Sequence, residues 1–396
     1  MAQQTLSLID YYKQSPRKKK TKIIWALIGI LVATGLVLLC ASYGMIYGIT
    51  TYLNKPTDYK EALERGEVAN GNKIHFLNTE SGDCIILESE GRLAMIDCAE
   101  DNDNPRNFPE LELKGFEDRV LKYVKDNFAD ENGKVHFDFI LGTHSHSDHI
   151  GGFDTLLADE DITVGKAYLK RYQPYFIKEQ EVVEWDNEEV YNQMVNAVNA
   201  RGIELIQDIP TEEFSLGTYK LRFLNTKDPT ETDLGENENA VALFVKDGDK
   251  KILLMADVNY LDGDEQAISK EIGKVDLMKL GHHGYGYSTG TPFLSRTQPK
   301  IAIYTNYRNQ ATVTVRFRVT LNARSSQYAT ADYNGIIAVI GEEIKLYNSP
   351  FSASLETICK YLSPFSFVNT FTIISSSLRL SSLCFVSSTI CSMFST

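Results

Sequence analysis

The sequence predicts an α/β protein, its sheets covered by helices, preceded by one membrane-spanning helix. Three observations carry this prediction. Residues 23–54 contain no charged side chain. From residue 73 onward, short apolar runs of strand length are interleaved with longer helix-like stretches. These elements fall into two halves, each opening with hairpin-like strands and closing with strand–helix alternation, which is how sheets covered by helices read. The 396 residues, 43% hydrophobic and 23% charged, exclude a disulfide-stapled module, a disordered chain and a polytopic transporter.

The first element is the apolar run. Residues 23–40 are long enough as a helix to cross about 30 Å of hydrocarbon. Trp25 near one end and Tyr43 and Tyr47 near the other suit the two interfaces. Arg17, Lys18, Lys19 and Lys20 lie just before the span, so the positive-inside rule keeps residues 1–22 cytoplasmic and puts everything after about residue 50 outside. A cleaved signal peptide would have a shorter apolar stretch and a small-x-small exit. A lipid-attachment cysteine at Cys40 would want a small residue before it, where Leu39 stands. The expected organisation is a basic segment 1–22, an anchor 23–49, a stalk 50–72, a catalytic domain 73–348 and a serine-rich tail 349–396. Localisation follows: a single-pass membrane protein with its domain outside the cell.

Charge is uneven. Residues 1–22 hold six basic side chains against Asp10, so the rest of the chain carries −18 of the net −13. A body that acidic repels nucleic acid unless a metal or a local basic groove intervenes.

Within the domain, strands are expected at 73–78, 84–87, 93–96 and 137–141, with a helix at 117–128. Further helices are expected at 182–200 and 264–272. Further strands are expected at 219–224, 240–245, 252–255, 277–280, 301–304 and 336–340. The six cysteines form no Cys-x-x-Cys pattern, and Cys84 and Cys98 read as small core residues. The tail has fourteen serines, no glycine and no trusted period. No dimer motif stands out.

Chemistry concentrates in two short runs that hold five of the seven histidines. The first is Thr143-His144-Ser145-His146-Ser147-Asp148-His149-Ile150-Gly151-Gly152; the second is Leu280-Gly281-His282-His283-Gly284. A tight loop leaving the strand at 137–141 can aim His144 and His146 at one ion and Asp148 and His149 at a second. Imidazole and carboxylate together are the donor set Zn²⁺ takes. Gly151 and Gly152 let the next helix start close by without a clashing Cβ. Asp257, an acid at the tip of the apolar run 251–256, reads as a bridge between two ions about 3.5–4 Å apart, or else as a turn former. His75 and His136 read as ordinary structural residues.

The His-x-His-x-Asp-His-x-Gly-Gly run resembles the signature of the metallo-β-lactamase superfamily. Asp257 and His282-His283 match it in chain order, and the similarity extends over about residues 73–345, including Ser81-Gly82-Asp83 and Met95-Ile96-Asp97. The resemblance implies an αβ/βα four-layer sandwich with a two-metal site at one edge of the paired sheets, holding Zn²⁺ first and Mn²⁺ as the alternative. Two branches are similar. One is the extracellular domain of the competence DNA-uptake channel. The other is the choline-phosphate esterase of pneumococcal-type cell walls, which resembles Tyr168-Leu169-Lys170 and the run 272–279. One departure stands out: no histidine lies between His149 and His282, so His282 and His283 serve both ions between them, or one site is incomplete.

Roles follow from that resemblance. A hydroxide held between the ions is the nucleophile, Asp148 orients it and takes its proton, and Asp83 and Asp97 support ligand histidines from behind. The favoured reading is a phosphodiesterase or phosphoesterase acting on a cell-surface choline-phosphate polymer. Tyr172, Tyr175, Phe176 and Trp185, interspersed with Glu181, Glu184 and Asp186, are candidates to hold a quaternary ammonium. The alternatives are a nuclease using Lys166, Lys170, Arg171 and Lys178 as a basic patch, or a surface protein with a degenerate metal site. Fold alone does not assign β-lactam hydrolysis.

Overall fold

The structure, a computed structural model, describes residues 17–54, 63–101, 114–261 and 263–349. The expected basic segment and stalk are described only in part, and the serine-rich tail lies outside the described residues from 350 onward.

Helix α1 (Arg17–Asn54) contains the apolar run, and its stretch Lys20–Gly48 has a mean hydropathy of 2.7 with none of it buried. At about 1.5 Å per residue it is long and apolar enough to cross a membrane. None of its described side chains is buried, which is the reverse of a core helix.

The domain is built from two mixed sheets. Its first half runs β1 (Asn72–Phe76), β2 (Ile85–Ser89), β3 (Arg92–Ile96), α2 (Glu117–Phe128), β4 (Val135–Phe137) and β5 (Phe139–Gly142). It continues through α3 (Ser147–Ile150), α4 (Phe153–Ala158), β6 (Ile162–Val164), β7 (Lys166–Leu169), α5 (Glu179–Glu184), α6 (Asn187–Ala200) and β8 (Glu204–Ile206). The second half runs β9 (Phe214–Leu216), β10 (Tyr219–Leu224), β11 (Ala242–Asp247), β12 (Lys250–Leu254), α7 (Asp264–Ile272), β13 (Leu277–Lys279), α8 (Thr291–Thr297) and β14 (Ile301–Tyr304). It closes with α9 (Val313–Arg318), β15 (Ser326–Ala329), β16 (Ile336–Ile340) and β17 (Lys345–Asn348).

Strand order is β17-β16-β1-β2-β3-β5-β7-β8 in one sheet and β15-β14-β13-β12-β11-β10-β9 in the other. In each half the early strands pair antiparallel and the later ones parallel: β1–β2–β3 then β5, β7 and β8, and β9–β10–β11–β12 then β13, β14 and β15. The two-halves pattern read from the sequence is therefore the topology. Two pairs stand outside it: β16 and β17 return from the second half to pair beside β1, and β4 and β6 pair parallel as a separate two-stranded sheet.

Alternation along the strands makes the layers. Ile74, Phe76, Ile85, Leu87, Ala94 and Ile96 face Tyr219, Leu221 and Phe223 in the core between the sheets. Their neighbours Ile86 and Met95 point the other way, against Val120, Val124, Met194 and Val198 of α2 and α6. Leu253, Met278 and Ala302 meet Ile268, Phe293 and Val315 of α7, α8 and α9 on the far side. Helix, sheet, sheet and helix stack as the αβ/βα sandwich that was expected.

Two expected elements are each divided. The strand at 137–141 splits at Asp138, whose N–H donates to Leu93 O while its carboxylate pairs with Arg92. The helix at 182–200 is two helices, with Trp185 extended between them (φ −104°, ψ 150°). Phe223 packs in the inter-sheet core against Phe139, Tyr168 and Phe214 and is 1% exposed. Its truncation to alanine is expected to cost about 3–5 kcal/mol of unfolding free energy, measured by denaturant titration.

Candidate metal centre

The two histidine runs come from opposite sheets and meet at one edge. The loop after β5 carries Thr143 to His146, and α3 follows at once with Asp148 and His149. The approach is close: a Cβ on Gly152 would sit 2.5 Å from Cys98 O, and one on Gly151 would sit 2.6 Å from Ser147 O. Glycine is required at both positions, as the sequence suggested. From the other sheet, Asp257 follows β12, and His282 and His283 follow β13.

The second run is strained. His282 (φ 49°, ψ 47°) and His283 (φ 51°, ψ 14°) are both left-handed, and Gly284 continues at φ 87°. Each left-handed non-glycine residue costs about 1–2 kcal/mol. The conformation is held by His282 N–H donating to Ala256 O at 3.0 Å and Tyr285 N–H donating to His282 O at 2.6 Å. Strain of this kind persists where the site needs the side-chain directions it produces.

Five imidazoles converge. His144 Nε2 lies 3.0 Å from His146 Nδ1, and His149 Nε2 lies 3.1 Å from His283 Nε2. Asp257 stands among them, with Oδ1 3.2 Å from His149 Nε2 and Oδ2 3.3 Å from His283 Nε2. Asp148 Oδ2 is 3.1 Å from His283 Nε2. Donor atoms of Asp83, His149, Asp257 and His283 form one group within 4.8 Å of one another; those of His144, His146 and Asp257 form a second. Asp257 belongs to both.

The outward nitrogens are all engaged. His149 Nδ1 faces Asp97 Oδ2 at 2.7 Å, and the Asp97 carboxylate also accepts the Thr143 N–H and hydroxyl at 2.8 Å each. His144 Nδ1 faces Thr143 Oγ1 at 3.0 Å, and His146 Nε2 faces Glu181 Oε1 at 3.1 Å. His282 Nδ1 faces Gly286 O at 3.1 Å. His283 Nδ1 lies 2.9 Å from Thr305 Oγ1 and 3.2 Å from Asp83 Oδ1. One nitrogen oriented by an outer partner and the other turned inward is how metal-ligating histidines are held. This His/Asp cluster is compatible with binding two metal ions.

Electrostatics agree with the geometry. Burial pulls the His149 imidazole down, but the carboxylates of Asp257, Asp148 and Asp97 outweigh it and hold its pKa up to about 10. His283 is likewise raised, Asp257 and Asp83 overcoming burial. Burial opposes the charged forms of Asp148 and Asp257, yet the surrounding imidazoles keep both well below the usual carboxylate range. His144 is pushed down by burial and by its histidine neighbours.

The structure places the remaining residues as follows. Asp97 stands behind His149, against its Nδ1. Asp83, expected behind the ligands, touches His283 and also contributes a donor atom to the first group. His282 lies 3.8 Å from Asp257 Oδ2, outside both donor groups, and is 27% exposed. Trp185 packs over His146 at 4.9 Å, 36% exposed. Tyr172 packs against Tyr191 and Tyr175 against Phe176, which is buried. Of these aromatics, Trp185 is the one seen against the cluster. Glu181 turns inward to His146 and also accepts the Glu236 N–H. Of the basic residues Lys166, Lys170, Arg171 and Lys178, Lys170 is buried and donates to Lys227 O at 2.6 Å, and Arg171 pairs with Asp208. His75 is buried against Tyr123 and Glu88 and His136 lies exposed beside Thr163, so neither joins the cluster. Lys279, Glu236 and Thr305 were not singled out from the sequence. A lysine inside the apolar strand run 277–280 was the one available signal.

Comparison with known proteins agrees with this geometry. Residues 120–287 match the family model described as a beta-lactamase superfamily domain. Those residues, within the sandwich described above, are thus similar to a beta-lactamase superfamily domain. It is similar to Recombination protein 2 of Haemophilus influenzae, 33% identical over 73 residues, covering 18% of this chain and 9% of that protein. It is also similar to ComE operon protein 3 of Bacillus subtilis, 25% identical over 186 residues, covering 46% of this chain and 21% of that protein. The chain thus spans less than a quarter of either relative's length. Among solved structures, the metallo-beta-lactamase fold protein YhfI from Bacillus subtilis shares 12% identity at a TM-score of 0.42, over 71% of this chain and 100% of that one.

A cation replaces protons on the nitrogens it takes, so the raised His149 and His283 must deprotonate on binding. Zn²⁺ titrations from about pH 8 down to about pH 6 are expected to show affinity falling about tenfold per pH unit for each proton displaced, with matching proton release by calorimetry.

Proposed function

We propose that this chain is a metal-dependent hydrolase of phosphoester or phosphodiester bonds, anchored by α1 with its domain on the extracytoplasmic side. The observation that carries the proposal is Asp257, a buried carboxylate shared by two groups of inward-facing donors. His144, His146, His149, His283 and Asp257 would hold two divalent cations, Zn²⁺ first and Mn²⁺ second. Bound there, they would supply Lewis-acid charge and a water acidified to near neutrality.

The chain's own residues do the rest. Asp148 is 15% exposed and reaches toward His283, so it can meet a substrate at the opening and accept a proton there. His282, beside Asp257, and Trp185, against His146, are both partly exposed and can seat the leaving portion. Asp97, Glu181 and Thr143 fix imidazole directions and exchange no proton with substrate. The acidic body favours a cationic alcohol such as choline, and the exposed Trp185 face suits a quaternary ammonium. A cell-surface choline-phosphate polymer is the substrate class proposed.

A second reading has its own support. The similarity to a protein named for recombination favours nucleic acid as the phosphodiester. The burial of Lys170 and the pairing of Arg171 remove much of the basic groove such a substrate would need.

The test uses the full chain in detergent, loaded with Zn²⁺ or Mn²⁺, beside Asp257→Asn. Turnover of p-nitrophenyl-phosphorylcholine is expected, falling by more than about 100-fold in the variant, beyond what loss of an outer partner costs. Cleavage of single-stranded DNA alone, lost in the same variant, would move the assignment to the nuclease. Turnover of neither substrate with both ions bound would contradict the proposal.

A further inference from the structure

Lys279 is the most unusual side chain in the domain's second half. It ends β13, a strand paired on both sides by β12 and β14, and it is 0% exposed. Its Nζ donates to Ala256 O at 2.7 Å, lies 2.5 Å from Asp83 Oδ2 and lies 3.5 Å from Asp257 Oδ1. A lysine ammonium has three N–H donors and no acceptor, and three oxygens surround this one. Asp83 comes from the loop before β2, in the opposite sheet, so the contact ties the two halves together beneath the cluster.

We infer that Lys279 is a positioning residue, a built-in cation that holds Asp83 and Asp257 in place and sets how tightly the centre binds metal. The inference rests on the two-metal reading above. The ammonium occupies Asp83 Oδ2 and leaves Oδ1 facing His283 Nδ1 at 3.2 Å, so Asp83 serves as a counter-charge and orienter of His283. On Asp257 it engages Oδ1 from one side while His283 stands against Oδ2. Two consequences follow. Without metal, the ammonium adds a positive charge to a cluster whose carboxylates the imidazoles pair on their other side, and the centre stays assembled. With metal, a fixed positive charge a few ångströms from the shared carboxylate repels the incoming ions, so affinity is held below what the same donors would give.

The test compares wild type, Lys279→Met, Lys279→Arg and the double variant Asp83→Asn/Lys279→Met, each as the full chain in detergent. Zn²⁺ affinity is read by chelator competition and thermal unfolding with and without chelator. Lys279→Met keeps the length of the side chain and removes its charge. It is expected to bind Zn²⁺ at least about tenfold more tightly, and its metal-free form is expected to melt lower than metal-free wild type. Recovery of Lys279→Met only from metal-supplemented cells is the same result in stronger form. Lys279→Arg is expected to bind like wild type. The double variant removes the pair together and is expected to return affinity to within about threefold of wild type. Equal or weaker affinity in Lys279→Met overturns the inference, as does a double variant that binds as tightly as the single one. A wild type that retains no Zn²⁺ would instead overturn the two-metal reading, whatever the variants do.

Discussion

The structure depends on one constraint, the need to bury an acidic, imidazole-rich cluster without leaving its charges unpaired. Asp257 is 1% exposed, and Asp83 and Asp97 are as deeply buried. An isolated buried carboxylate is costly, so each must have a partner with good geometry. Here the partners are three imidazoles, those of His149, His282 and His283, and one lysine, drawn from both sheets. The fold supplies them because the parallel strands β5 and β13 both deliver their following loops to the same edge. Strain at His282 and His283 and the close approach at Gly151 and Gly152 are local costs of that convergence.

The same cluster explains where the chemistry can occur. Most of it is sealed, and Asp148, Glu181, His282 and Trp185 are its more exposed members. Under the proposed hydrolase reading, a substrate would meet these groups first, with the buried donors behind them. The rest of the site serves direction: Asp97, Glu181, Thr143 and Thr305 each fix a ring that would otherwise rotate. Helix α1 precedes this acidic domain as a segment long and apolar enough to cross a bilayer.

Much of this could be read from the sequence, for identifiable reasons. Glu117–Phe128 and Asp264–Ile272 form with the boundaries expected, because amphipathic stretches with acidic first turns mark their own ends. The first histidine run is local, so its convergence follows from a single loop. Asp257 stood out as an acid at the tip of an apolar strand. What stayed hidden was long-range. Glu181 reaches His146 across 35 residues, and Thr305 reaches His283 across 22. Neither contact has a sequence period, and the turn of Glu181 toward the cluster accompanies the break of the expected 182–200 helix at Trp185. The aromatic group was likewise a matter of sequence proximity, which the packing of Tyr172 on Tyr191 and Tyr175 on Phe176 resolves differently.

The central claim is that two ions share Asp257. Electron paramagnetic resonance of the Mn²⁺-loaded chain tests it directly, because two ions held by one carboxylate would lie close enough for their spins to couple. The account predicts two bound ions with an exchange-coupled spectrum that Asp257→Asn converts to that of isolated ions. Two ions with an uncoupled spectrum in the wild type, or a single ion at saturation, would contradict it.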